Sequence, residues 1–317
     1  MWVSSFCVVT FDNDLGQTLE LQYPAVLTEA EQQAVAFLSF PDSNSFNAEG
    51  DVTYLFRMRK GAGYLGTQSG FLEREFYYGF VYFRLCRDAS KPRGYFQKSL
   101  VVLTTLPYVS LFKQVASATG PLYFSHGESV FESAKNCIDN WPPPSHSLNT
   151  ELPFLGTVLP FHTPMQTYNY FSEPRDLEAA SLPCILEAVD QSFPGLFQDL
   201  GLVATLGQQL CTKHLWSLWE LVLTGQGLMV VADSPELSSE TVLALVSLTA
   251  PLSYMGDFRP YITLFDADFK EFQAMNDGKT VSQAILGTTN PFFVKTLNHW
   301  PNFLHISRNS SGEIVSQ

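Results

Sequence analysis

The stretch Tyr77–Arg84 (YYGFVYFR), with Gly94–Leu103 (GYFQKSLVVL) after it, limits what this chain can fold into more than any other. Both pieces are dense in aromatic and β-branched residues and contain no proline, so both read as strands. Between them, Asp88-Ala89-Ser90-Lys91-Pro92-Arg93 is rich in turn formers, and an antiparallel hairpin is expected. Tyr78, Phe80 and Tyr82 fall on one parity of the first strand; Val81, Phe83 and Leu85 fall on the other. A strand that is apolar on both parities has to be covered on both faces, which places it inside a sheet and not at an edge.

The same region holds the positive charge. From Arg57 to Lys98 nine basic residues stand against Glu73, Glu75 and Asp88, a net of +6 in a chain of net −13, which leaves −19 for the rest. An acidic chain of this kind is not built around nucleic acid. A basic sheet on an acidic body points to docking on an acidic protein surface or anionic lipid; the plainer reading is a well-solvated hairpin. At 317 residues with 45% hydrophobic content, the chain is long enough for two domains and rules out wholesale disorder. Cys7, Cys86, Cys137, Cys184 and Cys211 are odd in number and widely spaced, the usage of a reducing compartment with cysteines as small core residues. No apolar run reaches transmembrane length, and the first residues lack the features of a signal peptide. A cytosolic or peripheral membrane location follows, and the sequon Asn309-Ser310-Ser311 reads as incidental.

Taken in order, Trp2–Phe11 is a strand beginning almost at the first residue, as if upstream sequence were absent, and Leu19–Tyr23 returns after a turn. Thr28 with Glu31 three residues on is a capping box that opens a helix through Leu38. Val52–Lys60 is a third strand and the hairpin follows. Apolar spacing then predicts helices over Tyr108–Thr119 and Ser125–Asn140. The order is β-β-α-β-β-β-α-α, as in longin-type domains, and occupies residues 1–140. The prolines after Trp141 predict a stiff linker over 141–170.

Residues 171–317 alternate helices with short apolar strands, which indicates an α/β module with a mainly parallel sheet. The spacing predicts a helix over Gln208–Leu223 and a strand over Leu228–Ala232. Ser234-Pro235 opens a second helix, running to about Thr249. Strands are expected over Pro260–Phe265, Val281–Leu286 and Phe303–Ile306, with a helix over Asp266–Met275 and another capped by Asn290-Pro291.

Signatures of bond-making chemistry are weak. Gly61-Ala62-Gly63-Tyr64-Leu65-Gly66 has the G-x-G-x-x-G spacing, but Thr67–Gly70 continues as loop where a dinucleotide site needs a helix. Asp266-Ala267-Asp268 sits after an expected strand, as the nucleophile pair of Mg²⁺-dependent haloacid-dehalogenase-type phosphatases does. Lys270 departs from that pattern, and helix capping by either aspartate is the plainer reading. The six histidines lack metal spacing, and Gly287–Pro291 reads as a helix cap before an anion site. No cofactor or metal is implied.

Longer stretches carry a family resemblance. Val3–Asp12, Leu38–Ser43, Gly79–Arg84 and Arg93–Leu100 resemble an upstream DENN segment. Leu218–Gly225, Ser238–Leu245, Asp257–Tyr261 and Thr289–Leu297 resemble a core DENN segment. The similarity covers nearly the whole chain and is nearest the DENN domain-containing protein 6 subfamily. It implies a longin module, a linker and an α/β core, with guanine-nucleotide exchange on Rab GTPases at endosomal membranes, including the recycling endosome. It also implies a downstream helical segment, expected to be missing because the chain stops at Gln317. A cleft between the modules is the expected GTPase site, with Asp42, Ser43, Asp257, Phe258, Arg259, Thr289 and Asn290 as contacts; turns and caps explain each of these equally well. Arg87, Lys91 and Arg93 are the expected contacts to anionic membrane or an acidic partner. A Rab-binding or membrane-tethering scaffold without exchange activity is the alternative.

Overall fold

A computed structural model describes residues 1–12, 14–42, 49–61, 76–90, 94–144, 149–162, 211–249, 254, 256–274, 284–308 and 314–316. Ser43, Lys91, Arg93, most of the 61–70 glycine loop, Cys184, the sequon and the opening of the second module lie outside them.

The first module is a five-stranded antiparallel sheet in the order β2-β1-β5-β4-β3. Its strands are β1 (Ser5–Asp12), β2 (Gly16–Tyr23), β3 (Gly50–Arg59), β4 (Phe76–Arg87) and β5 (Tyr95–Thr104). The expected hairpin is β4–β5, and β4 lies inside the sheet, paired with β3 on its other side. Its two parities separate as expected. Tyr78, Phe80 and Tyr82 join Phe6, Val8, Leu100 and Val102 under two helices, α2 (Val109–His126) and α3 (Ser129–Asp139). Val81, Phe83 and Leu85 join Cys7, Val9, Val101 and Leu103 under α1 (Glu29–Leu38). Helix α1 starts with the expected capping box: Thr28 Oγ1 accepts from Glu31 N at 3.4 Å, and Glu31 Oε2 accepts from Thr28 N at 2.9 Å.

Gly79 shows why the sheet tolerates a glycine at its centre. It lies opposite Phe56, whose ring occupies the space a Cβ would need. Gly79→Ala is expected to destabilise by about 1–3 kcal/mol, read by urea denaturation, since a methyl there must displace a buried ring.

Several expectations are corrected. Helix α2 runs on through Gly120 and Pro121, where a break was expected. Gly120 lets the helix backbone approach the Tyr82 ring, and burial of Phe112, Val115, Thr119 and Tyr123 holds the helix against the proline's cost of about 3 kcal/mol. Cys86 is exposed at the end of β4 and is not a core residue. Within the stretch expected as a linker, β6 (Asn149–Phe154) and β7 (Thr157–His162) form a hairpin. Leu155 and Gly156 make its turn, at φ of 46° and 82°, the positive values a two-residue turn demands. Leu152, Phe154, Leu159 and Phe161 are buried against Trp2 and Trp141, whose indole N–H groups donate to Pro142 O and Pro153 O at 2.8 Å.

The second module is a mainly parallel sheet, order β12-β11-β8-β10-β9, built from β8 (Leu228–Ala232), β9 (Asp257–Arg259), β10 (Ala284–Thr288), β11 (Asn302–Arg308) and an antiparallel edge, β12 (Ile314–Ser316). Its helices are α4 (Cys211–Leu223), α5 (Pro235–Ser247), α6 (Phe269–Ala274) and α7 (Phe292–Thr296). Ser234 caps α5 as expected, its hydroxyl accepting from Leu237 N at 3.2 Å. The class is therefore α/β, an antiparallel sheet module joined to a parallel one.

The strand expected over Pro260–Phe265 is not formed. Pairing with β10 covers only Asp257–Arg259. Pro260 has no N–H for a ladder, and its carbonyl instead accepts from Ser238 Oγ at 3.1 Å. Beyond it the chain keeps a bond from Ile262 N to Gly287 O of β10 at 2.8 Å, and sends Tyr261 into the other module.

Candidate partner-binding site at the module seam

The two modules meet along the edge strand β3, whose parities do different work. Tyr54, Phe56 and Met58 enter the core beneath α1, while Arg57 and Arg59 face β9 and α6. The Arg57 guanidinium lies between the rings of Phe76 and Phe258, at 3.6 and 4.0 Å from their centroids. It donates to Asp257 Oδ1 at 3.0 Å and to the Phe258 carbonyl at 3.2 Å. Arg259 is fully buried; it donates to Asp257 Oδ2 at 2.9 Å, Asp268 Oδ2 at 2.6 Å and the Arg57 carbonyl at 3.3 Å. Arg59 adds pairs to Glu271 at 2.8 Å, Asp257 at 3.6 Å and Asp268 at 3.7 Å. Burial disfavours charge on Asp257, but Arg259, Arg57 and Arg59 outweigh that and hold its carboxyl below the usual range.

A second set of contacts closes the other side of the seam. Tyr261 is fully buried and packs edge-on against Tyr54 at 5.1 Å. Its hydroxyl accepts from Asp42 N at 3.0 Å and lies 3.3 Å from Thr289 Oγ1. Burial raises the Asp42 carboxyl above its ordinary pKa, partly offset by a hydrogen bond with the Asn290 side chain. Asn290 Oδ1 in turn accepts from Phe292 N at 2.9 Å, so Asp42, Asn290 and the start of α7 form one chain of contacts. Farther along, Lys113 of α2 pairs with Glu240 of α5 at the wall of an apolar cavity of about 50 Å³ bounded by β3, β4 and both helices.

The expected contact residues therefore divide. Asp257, Phe258 and Arg259 are buried and tie the modules together; a partner reaches them only if the seam parts. Thr289 and Asn290 are also buried, while Asp42 is half-buried and marks the solvent-facing end, or mouth, of this set of contacts. Beside this mouth stand aromatic groups that sequence reasoning missed. Phe265 is 60% exposed and stacks on the half-buried Phe37 of α1 at 5.1 Å, and Phe292 is 50% exposed. The available signal was Phe-Asp-Ala-Asp, an aromatic residue in a polar turn.

Much of the basic excess of the hairpin region is neutralised within the chain. Arg57 and Arg59 are used in the seam; Arg84 pairs with Asp51 at 2.7 Å, Lys98 with Glu20 at 2.8 Å, and Arg87 with Glu49. Arg87 nevertheless keeps 77% of its side chain exposed. Asp266 and Asp268 are not arranged as a phosphatase pair: Asp268 is held by two arginines, and Asp266 Oδ1 accepts from Asp268 N at 2.8 Å, a local turn ahead of α6 and not the expected helix cap. Among the described residues no group of three or more His, Cys, Asp or Glu is placed to hold a metal, and no helix is long and apolar enough to cross a membrane.

The fold and seam define a two-module α/β framework in which Arg57, Arg59 and Arg259 with Asp257, Asp268 and Glu271 hold the modules together. The chain belongs to the DENN domain-containing protein 6 family. Protein DENND6B of Homo sapiens is 40% identical over 336 residues, covering 100% of this chain and 55% of its own length. Protein DENND6A of Gallus gallus is 40% identical over 324 residues, 96% of this chain and 53% of its own. Protein DENND6 homolog of Dictyostelium discoideum is 36% identical over 370 residues, with shares of 96% and 49%. The chain thus spans about half the length of the curated relatives it matches. No protein-family model matches it.

Proposed function

We propose that this chain acts in guanine-nucleotide exchange on a Rab-family small GTPase, in endosomal membrane traffic. Membership of the family along nearly the full chain carries this reading. The seam supports it: a partner can dock at the mouth, against the exposed Phe265 and Phe292 and the half-buried Asp42, while the buried ion network keeps both modules fixed beneath it. Exchange involves no bond chemistry in the exchange factor. It requires that GTPase-switch binding and nucleotide binding oppose one another, a coupling that is reciprocal. A thousandfold faster GDP release corresponds to about 4 kcal/mol of such coupling, which a few aromatic anchors in a surface can supply. Arg87, Lys91 and Arg93 at the β4–β5 turn are proposed to meet anionic lipid as the protein is recruited.

The test is release of a fluorescent GDP analogue from a panel of Rab proteins, with and without vesicles containing phosphatidylserine. Asp42→Ala and Phe265→Ala are each expected to slow release at least tenfold with little change in melting temperature. If both release at the wild-type rate, the mouth is not the docking surface. Because the match spans only about half of each relative, the scaffold reading stands beside this one; Rab binding without faster release favours it.

A further inference from the structure

We infer that Asp266 is a proton-operated catch on the seam between the two modules. Three arginines (Arg57, Arg59, Arg259) meet four carboxylates (Asp257, Asp266, Asp268, Glu271) there. Asp257 is shared by all three arginines, Asp268 by Arg259 and Arg59, and Glu271 is paired with Arg59. Asp266 is the carboxylate left over. It is 8% exposed; one oxygen accepts the Asp268 N–H, and the other has no hydrogen-bond partner among the described residues. The buried hydroxyl of Thr263, in the same turn, has none either.

A buried carboxylate oxygen without a donor is costly, and a proton both removes its charge and makes it a donor. With that proton on, three arginines face three carboxylates; without it, the seam carries one surplus negative charge. The charged groups around Asp266 are Arg259 and Asp257 of β9 and Asp268 at the entry to α6, with Arg57 and Arg59 of β3 and Glu271 of α6 beyond them. Burial raises its pKa, Arg259 opposes, Asp268 adds to the rise, and the result is about 6. A carboxyl whose folded-state pKa is raised stabilises the fold fully below its unfolded value, and that stabilisation is lost as pH climbs through the folded value. The window therefore runs from about 4 to about 6, and the seam is tighter on the acid side.

The experiment compares the wild-type protein with Asp266→Asn, which keeps the oxygen that accepts from Asp268 N. Urea unfolding is followed at pH 4.5, 5.5, 6.5 and 7.5, together with hydrogen exchange of residues 257–274 corrected for intrinsic rates. Relative to the variant, the wild-type unfolding constant is expected to rise by up to about tenfold per pH unit through the window and then level off. The variant should show at pH 7.5 a protection that the wild type approaches only towards pH 4.5. A variant that tracks the wild type at every pH, or is less stable than it at pH 7.5, overturns the inference. If the variant does not fold, the ¹³C carboxyl titration of Asp266 in the wild type decides, and a midpoint at or below 4 overturns it. No GTPase enters any of these measurements, so their outcome is separate from that of the exchange assay.

Discussion

Arg259→Ala is expected to lower stability by about 3–5 kcal/mol, the cost of breaking a buried ion network by removing one partner. The guanidinium is fully buried, yet it serves Asp257, Asp268 and the Arg57 carbonyl at once and lies 5.2 Å from the Phe76 ring. Without it, Asp257 keeps Arg57 and the more distant Arg59, and Asp268 keeps only Arg59 at 3.7 Å. The buried Asp257 and the half-buried Asp268 then each lose their hydrogen bond from Arg259, and with it part of the charge that offsets their desolvation. Arg259→Lys is expected to recover less than half of the loss, because an ammonium is a point donor and cannot fork between two carboxylates and a carbonyl. Urea denaturation checks both. If Arg259→Ala unfolds within about 1 kcal/mol of the wild type but no longer engages a GTPase, the residue is a contact and the account of the seam is wrong.

The same network explains how far the sequence could be read. The hairpin was legible because two-sided apolar alternation permits only a covered strand, and the caps at Thr28 and Ser234 because their partners lie three residues away. The β6–β7 hairpin was hidden because the prolines after Trp141 read as a stiff linker continuing to residue 170, although Pro153 and Pro160 both fit a two-stranded sheet whose edges need no further pairing. The seam was harder still. Arg57 and Asp257 are 200 residues apart, and nothing local marks them as partners. What the sequence did show was a net charge of +6 over residues 57–98 against −19 for the rest of the chain. That asymmetry points as readily to an external acidic partner as to an internal one, and the structure shows that several of these charges are met internally. Arg57 and Arg59 occupy one parity of a strand whose neighbours are apolar, and that placement, more than the charge count, was the clue to burial.

Tyr261→Ala is the second large effect, about 3–5 kcal/mol, because it removes a fully buried ring from the core of the opposite module. Tyr261→Phe separates the ring from the hydroxyl. It leaves Asp42 N without its acceptor and Thr289 without its neighbour, at an expected cost of about 1 kcal/mol. The ring matters more than its area suggests because it is carried by a segment whose regular pairing with β10 ends at Arg259. Its removal uncouples Tyr54, on β3, from the loop between β9 and α6. Cooperativity is the sensitive reading. The wild type, with one apolar cluster running from β4 through α2 into α5 and β8, should unfold in a single urea transition. Tyr261→Ala should broaden that transition or split it, with fluorescence and circular dichroism no longer coincident. If the variant loses stability but still unfolds in one sharp step, Tyr261 fills space without coupling the modules, and the ion network together with the α5 contact holds the seam alone.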